Sequence, residues 1–226
     1  METQGPQWRE RQQEMEGWYQ QLIAKPASAA ECLISDYSPF APLLEQVSGR
    51  VLDVGGGIGV VRQFLPGIAD YIVLDPSLDW LGAEWTTLSE RFPCLARKPK
   101  FVRGVGESMP FPDRSFDAVL SFWSLNHASD PDKVIQETHR VLRPGGYFLL
   151  VLEDMEPRWR DLLTRAFVRE GIMHASRMAA LKLRNVFRGR SWPLQADHIR
   201  IAESGIQSCN SDRFAVIRRA WIAQYL

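Results

Sequence analysis

Net charge is what this sequence lacks first: 27 Lys and Arg stand against 27 Asp and Glu over 226 residues. Without a basic surplus a chain cannot neutralise a run of phosphates, which argues against a general nucleic-acid binder. Cysteine is scarce as well. Cys32, Cys94 and Cys209 make an odd number with no short spacing, so neither a disulfide scaffold nor a zinc ribbon is expected, and a reducing, cytoplasmic setting fits best. No clustering of His, Cys and carboxylates suggests a metal site. Unbroken apolar runs of the roughly 18–20 residues that a spanning helix needs are missing. The opening METQGPQWRERQQEMEGWYQQ has no apolar core of the secretory kind, so no membrane association is expected. Repeats, low-complexity runs and long Pro/Gly/Ser linkers are absent too. At 45% hydrophobic and 24% charged, the chain reads as an ordinary globular protein, one domain with a decorated edge.

The neutral total conceals an asymmetry. Residues 1–156 carry 14 basic and 22 acidic side chains, a net −8, whereas residues 157–226 carry 13 and 5, a net +8. Most of that positive charge lies between Arg158 and Arg190. It reads either as the solvated face of one or two helices or as a wall that steers an anionic substrate or an acidic carrier partner.

The first 48 residues are expected to be a helical cap, since Trp8, Met15, Trp18, Tyr19 and Leu22 fall roughly at helical spacing and Phe40 to Val47 stops at Ser48-Gly49. From residue 49 to 226 the pattern changes to short apolar runs separated by helical segments. Strands are expected at Arg50–Val54, Tyr71–Leu74, Phe101–Arg103, Phe116–Phe122 and Tyr147–Leu152. Runs rich in Val, Leu and Phe on both faces, with connections long enough for helices, indicate a mainly parallel sheet covered on both sides, an α/β doubly wound fold. Residues 157–195 read as a helical insertion, with Trp159, Leu162, Leu163, Ala166 and Phe167 on one helix face. His198–Glu203 and Phe214–Tyr225 are too close for a crossover helix and are expected to form an antiparallel hairpin at one sheet edge.

The segment Val51 to Val61 is the most informative. A hydrophobic strand runs into Gly55-Gly56-Gly57-Ile58-Gly59, with an amphipathic helix expected next. Nucleotides lie beyond the carboxyl end of the first strand in such sheets. A dinucleotide fingerprint needs glycines at n, n+2 and n+5. From Gly55 the last of these is Val60, and from Val54 the first is missing, so a nicotinamide-dependent oxidoreductase is disfavoured. What does match is Asp-x-Gly-x-Gly-x-Gly, beginning at Asp53. Here the chain resembles the class I S-adenosylmethionine-dependent methyltransferases, in particular the branch acting on small molecules (methyltransferase type 11-like).

That resemblance implies a Rossmann-like doubly wound seven-stranded sheet, mainly parallel, with helices on both faces and the C-terminal antiparallel hairpin. It implies S-adenosyl-L-methionine as cofactor, its cationic methionyl end beside Asp53 and the loop Gly55, Gly56, Gly57 and Gly59. Asp75, 22 residues after Asp53, followed by Pro76 and Ser77, would take both ribose hydroxyls. Gly104 to Asp117 resembles the family's loop into the fourth strand, which places Val105, Gly106 and Glu107 around the adenine. Relatives usually have an Asp where this chain has Val105, so recognition would rest on backbone groups near Gly106 and Glu107 or on Glu107 itself. Ser121 and Phe122 open the loop expected beneath the transferable methyl group, where Phe122 and Trp123 would enclose a cation. The Asn/Asp-Pro-Pro-Tyr/Phe signature of base-methylating enzymes is absent. Arg143-Pro144-Gly145-Gly146 matches the family's turn into the fifth strand.

His127 is the histidine placed where a general base would serve, with backbone bonding at a loop-to-helix junction as the competing reading. On that ground O-methylation of a small-molecule acceptor is the favoured expectation. N- or C-methylation, and a cofactor-binding scaffold without turnover, remain open. In such enzymes the N-terminal helices commonly form a lid. Trp8, Trp18, Tyr19, Tyr37, Trp159 and Trp192 are candidate acceptor-pocket liners, or simply packing.

Overall fold

The computed structural model describes residues 33–65, 67–68, 70–78 and 85–152, helical positions 13, 15–17, 19–21 and 24, and positions 180 and 183. The expected helical insertion at 157–195, apart from positions 180 and 183, the expected hairpin at 198–225 and the basic stretch beyond Arg158 lie outside the described residues.

Five strands form one sheet: β1 (Arg50–Val54), β2 (Asp70–Asp75), β3 (Lys100–Arg103), β4 (Phe116–Phe122) and β5 (Leu142–Val151). Their order is β3-β2-β1-β4-β5, and every neighbouring pair is parallel. The chain therefore works outward from β1 to one edge and then returns to its other side, so strand order reverses between β1 and β4.

Both faces are covered, and the strand sequences show why. On one face Leu52, Val54, Ile72, Leu74, Phe116 and Val119 pack with Met109, Leu125, Val134, Ile135, Val141 and Leu142. On the other, Val51, Tyr71, Val73, Ala118, Leu120 and Phe122 pack with Phe40, Leu44, Val47, Val61, Leu65 and Ile68. Alternate residues of each strand point opposite ways, so a strand buried on both sides must be apolar at nearly every position.

A helix, Pro131–Val141, covers the first face through Val134, Ile135, Thr138 and Val141. Pro131 suits its first turn, where no amide partner is needed. Asp130 caps it, its side chain accepting from the Lys133 amide at 3.2 Å. Asp130→Ala is expected to cost about 1 kcal/mol of stability, measured as a lower urea midpoint.

Two elements depart from expectation. The helix expected after the glycine loop is a five-residue 3-10 turn, Val60–Phe64. Gly59 enters it with left-handed backbone (φ 81°, ψ 28°), β-branched Val60 and Val61 favour extension, and Pro66 in the sequence restricts Leu65. In addition, β5 begins at Leu142 rather than Tyr147. Leu142 pairs with Phe116, and the register then shifts before Tyr147 pairs with Ala118. Arg143-Pro144-Gly145 is thus an excursion within the strand pairing, with Gly145 at φ 80°. Among the described residues, no helix is long and apolar enough to cross a membrane.

Candidate functional site: a carboxylate-lined crevice at the strand tips

The site residues expected from sequence gather at the carboxyl ends of β1, β2 and β4. Asp53 is the penultimate residue of β1 and only 2% exposed. Tyr71 pairs with Val51 across the β1–β2 ladder, and its hydroxyl donates to Asp53 Oδ2 at 2.5 Å. The Arg62 guanidinium lies over the Tyr71 ring, 5.5 Å from its centroid. Burial pushes the Asp53 carboxyl up to about 7, against the opposing pull of Tyr71, and the negative charge of Asp75 pushes the same way as burial.

Asp75 ends β2 and is also buried. The Gly57 amide donates to its Oδ2 at 3.0 Å and the Ser77 amide to its Oδ1 at 2.9 Å. Burial raises it to about 6 despite those two amides and the field of Arg103. Asp75 therefore ties the glycine loop to the tip of β2 while each oxygen keeps lone-pair capacity for a further donor. The loop is held on its other side by Gly55, whose amide continues the ladder to Leu74 O at 2.8 Å.

Two of the glycines are required. A β-carbon on Gly56 would strike the Asp53 carboxyl group, and Gly57, at φ 52°, would put one into the Tyr19 hydroxyl. Pro76 lies at the same strand tip, where its carbonyl accepts from Arg103 Nη1 at 3.0 Å. The Ser77 hydroxyl donates to Glu16 Oε1 at 2.6 Å.

The β3–β4 loop closes a third side. Val105 bridges to Ser108. Gly106 packs so tightly that a β-carbon there would meet the γ-carbons of Val134 and Val54 at 3.1 Å, which sets this loop against the tip of β1. Glu107 turns toward the helix start, where its Oε1 accepts from the amides of Ser129 (2.6 Å) and Asp130 (3.3 Å). Glu107 thus ties this loop to the one after β4, a role the sequence did not suggest.

Beyond β4 the backbone of Trp123 is left-handed (φ 54°), unusual for a bulky residue and a form of strain that accumulates at functional loops. It turns Ser124 back over the tip of β1. Ser124 Oγ donates to Val54 O at 2.6 Å. Because its single proton is used there, Ser121 Oγ must be the donor in the 2.8 Å bond between the two hydroxyls. The Ser124 β-carbon also fills the space a side chain on Gly55 would need. Phe122 lies among Tyr37 (5.2 Å between centroids), Phe40 (5.3 Å) and Trp123 (5.7 Å), so its ring belongs to an aromatic cluster on the second face of the sheet. His127 closes the 3-10 turn Leu125–His127, half-buried, its amide donating to Ser124 O at 3.1 Å.

Tyr71, Ser124 and Glu16 thus join the site without having been assigned to it, and Tyr19, a candidate acceptor-pocket liner from sequence, lies against Gly57 of the glycine loop. Paired hydroxyls three residues apart, Ser121 and Ser124, are visible in the sequence. The reach of Tyr71 to Asp53 depends on strand register. Among the described residues, no group of three or more His, Cys, Asp or Glu is placed to hold a metal ion.

A parallel sheet with a glycine-rich loop at the strand tips where strand order reverses defines a Rossmann-like α/β domain. Residues 52–150 match the family described as a methyltransferase domain. That segment belongs to the class I S-adenosylmethionine-dependent methyltransferases. The chain is 35% identical over 103 residues to an uncharacterized methyltransferase, YcgJ, of Bacillus subtilis, covering 45% of this chain and 40% of that protein. It is 39% identical over 115 residues to a fatty-acid O-methyltransferase of Mycolicibacterium smegmatis (49% of this chain, 38% of that one). It is 38% identical over 116 residues to the ubiquinone/menaquinone biosynthesis C-methyltransferase UbiE of Hahella chejuensis (50% and 45%). The chain thus spans less than half the length of these curated relatives. The crystal structure of YcgJ superposes with a TM-score of 0.51 at 23% identity, covering 78% of this chain and 68% of that one, a likeness of fold.

Proposed function

We propose that this protein is an S-adenosylmethionine-dependent methyltransferase acting on a small-molecule acceptor in the cytoplasm, with O-methylation as the favoured chemistry. The observation that carries the reading is the pair of buried carboxylates, Asp53 and Asp75, on adjacent strand tips either side of the glycine loop. Each is held above its ordinary range by burial, so a cation entering the crevice gains what both are missing. That donor set fits a ligand bearing a sulfonium, an ammonium and ribose hydroxyls. It opposes a pyrophosphate, which Asp53 would repel, and the five-residue 3-10 turn after the loop is no helix terminus on which to seat phosphates.

When bound, the cofactor supplies a methyl group carried on a positively charged sulfur. The chain's own part is to hold and orient. Asp53 with Gly55, Gly56, Gly57 and Gly59 would hold the methionyl end, and Asp75, Pro76 and Ser77 the ribose. Val105, Gly106 and Glu107 would border the adenine. Since the Glu107 carboxylate already serves the Ser129 and Asp130 amides, adenine contacts fall to backbone groups and to the apolar side of Val105. Ser121 and Ser124 fix the loop after β4 against β1, which sets Phe122, Trp123 and His127 relative to the cofactor loop. Rate enhancement by orientation needs that fixity. His127 would take the proton of a hydroxyl acceptor. The names of the relatives include both an O- and a C-methyltransferase, so the preference for oxygen rests on His127.

The reading extends to a cap of residues 1–48, a methyltransferase domain of residues 49–226 and a seven-stranded sheet completed by a hairpin within 198–225. In it, the basic 157–195 segment contributes to the site of an acceptor that is anionic or carrier-bound.

Calorimetric titration with S-adenosylmethionine and with S-adenosylhomocysteine is expected to give saturable one-site binding. No heat, under conditions where an established methyltransferase responds, would remove the assignment. Incubation with methyl-labelled cofactor and candidate acceptors then separates an enzyme from a scaffold, because only the enzyme transfers label.

A further inference from the structure

We propose that Tyr71 is a positioning residue for cofactor binding: its hydroxyl holds Oδ2 of Asp53 beneath the glycine loop and leaves Oδ1 to the ligand's cationic end. The inference rests on the cofactor reading above and deepens it, because the use of Asp53 then depends on a second side chain.

The contact is built into the sheet. Tyr71 stands opposite Val51 across the β1–β2 ladder, buried in one cluster with Val51, Val61, Leu65, Ile68 and Val73. Close packing of that kind fixes the ring. The Arg62 guanidinium lies over it and is itself tied down, its Nη2 donating to Ile68 O at 2.9 Å. A β-carbon on Gly59 would sit 3.3 Å from Tyr71 Cε1, so the ring runs under the far end of the glycine loop. From there its hydroxyl reaches Asp53 Oδ2 at 2.5 Å. The same oxygen lies where a side chain on Gly56 would have to go. Oδ2 is thus enclosed by the phenol and by the loop.

A carboxylate buried this deeply would, unaided, give up its charge by taking a proton. The phenol opposes that, because a hydrogen bond donated to an ionised acceptor favours the charged form. Burial and the charge of Asp53 keep Tyr71 itself protonated, while Arg62 pulls the other way and makes the phenol a better donor. The other ionisable groups in the field of Asp53 do not compensate its charge. Asp75 repels it. Tyr19 and Tyr37, the latter also facing Asp36, are held far above the ordinary phenol range by burial and stay neutral. The bond from Tyr71 is therefore what keeps Asp53 available to a cation.

The test follows S-adenosylmethionine affinity by calorimetry in the full chain and in Tyr71→Phe, which keeps the ring and its packing and loses only the hydroxyl. Removing one hydrogen bond to a charged acceptor is expected to move the Asp53 midpoint up by about one pH unit. Binding by the variant should then be about tenfold weaker than wild type near pH 5.5 and within about twofold of it near pH 9, where both proteins are ionised. A purely structural loss would weaken binding by the same factor at every pH. That result, or no weakening at all, overturns the proposal. Adding Tyr71→Phe to Asp53→Asn should bring no pH-dependent change, and one appearing there would overturn it too. Carbon-13 spectra of the carboxyl groups read the midpoint without any ligand, the resonance missing from Asp53→Asn being that of Asp53. An unmoved midpoint in Tyr71→Phe also overturns the proposal. If neither wild type nor variant binds the cofactor at any pH, the cofactor reading fails and this inference with it. If both bind with one constant ratio, only this inference fails.

Discussion

Between pH 5 and pH 8 the affinity for S-adenosylmethionine is expected to rise by about two orders of magnitude or more. Burial pushes Asp53 up to about 7 and Asp75 up to about 6, and the ligand takes both in their ionised forms, its cation at Asp53 and its ribose hydroxyls at Asp75. At pH 5 the greater part of the pair is protonated, and that proton must be expelled before binding. Near pH 8 there is almost nothing to expel. Stability runs the other way. Both folded values lie above the ordinary carboxylate range, so between about pH 4 and 7 the native state holds protons that the unfolded chain has lost. The linkage slope is then negative, and ligand-free stability falls as pH rises through that window. Asp70, Asp117 and Glu137 have the opposite sign. Lys100 lowers the first, the Arg50 amide the second and Arg140 the third, so their stabilisation is present above the ordinary carboxylate range and lost on further acidification. Melting temperature without ligand should therefore peak near pH 5 and decline toward pH 8, while affinity climbs. Asp53→Asn is expected to flatten both curves. A flat affinity profile in the wild type would show that neither acid meets the ligand in its ionised form.

How legible this was depends on what kind of information each feature needs. Strands β1, β2 and β4 stand out because burial on both faces demands apolar residues without interruption, as in Val51–Leu52 and Tyr71–Leu74. The edge strand β3 is weaker, its four residues partly exposed, and the start of β5 is masked by Arg143-Pro144-Gly145, which reads as a turn although pairing resumes beyond it. Asp53 and Asp75 are legible because a carboxylate at the end of an apolar strand is costly and so stands out against the residues around it. Tyr71 is not, since tyrosine is an ordinary strand residue and only the register Val51↔Tyr71 brings its hydroxyl to Asp53. The Glu107 bond to the Ser129 amide spans 22 residues of sequence, and no local pattern encodes such a contact. The Ser124 bond to Val54 O depends on left-handed backbone at Trp123, which a tryptophan does not advertise. The helix expected after the glycine loop, where a 3-10 turn forms instead, shows amphipathic spacing overruled by local sterics at Gly59, Val60, Val61 and Leu65.

Replacing Asp75 by alanine is expected to weaken S-adenosylmethionine binding by about 100-fold, the equivalent of two hydrogen bonds to a charged acceptor. Asp75 does two things, and the variants separate them. Its carboxylate would receive two ribose hydroxyls, and it already receives the amides of Gly57 and Ser77. Alanine removes both sets, leaving two loop amides to water and the glycine turn without its tether to β2. Asparagine keeps one acceptor oxygen in place of two and is neutral, so roughly tenfold weakening is expected, the loss of a single such bond. Stability should respond less than binding, because the lost amide bonds are offset by removing a buried charge that is costly at neutral pH. The discriminating probe is a cofactor fragment: methylthioadenosine, which has the ribose and adenine but no methionyl carboxylate or ammonium. Its affinity should fall as steeply as that of the whole cofactor in Asp75→Ala, yet stay near wild type in Asp53→Asn. Equal losses in both variants would mean that the two acids act as one field rather than at separate ends of the ligand. An unchanged fragment affinity in Asp75→Ala would move the ribose away from β2 altogether.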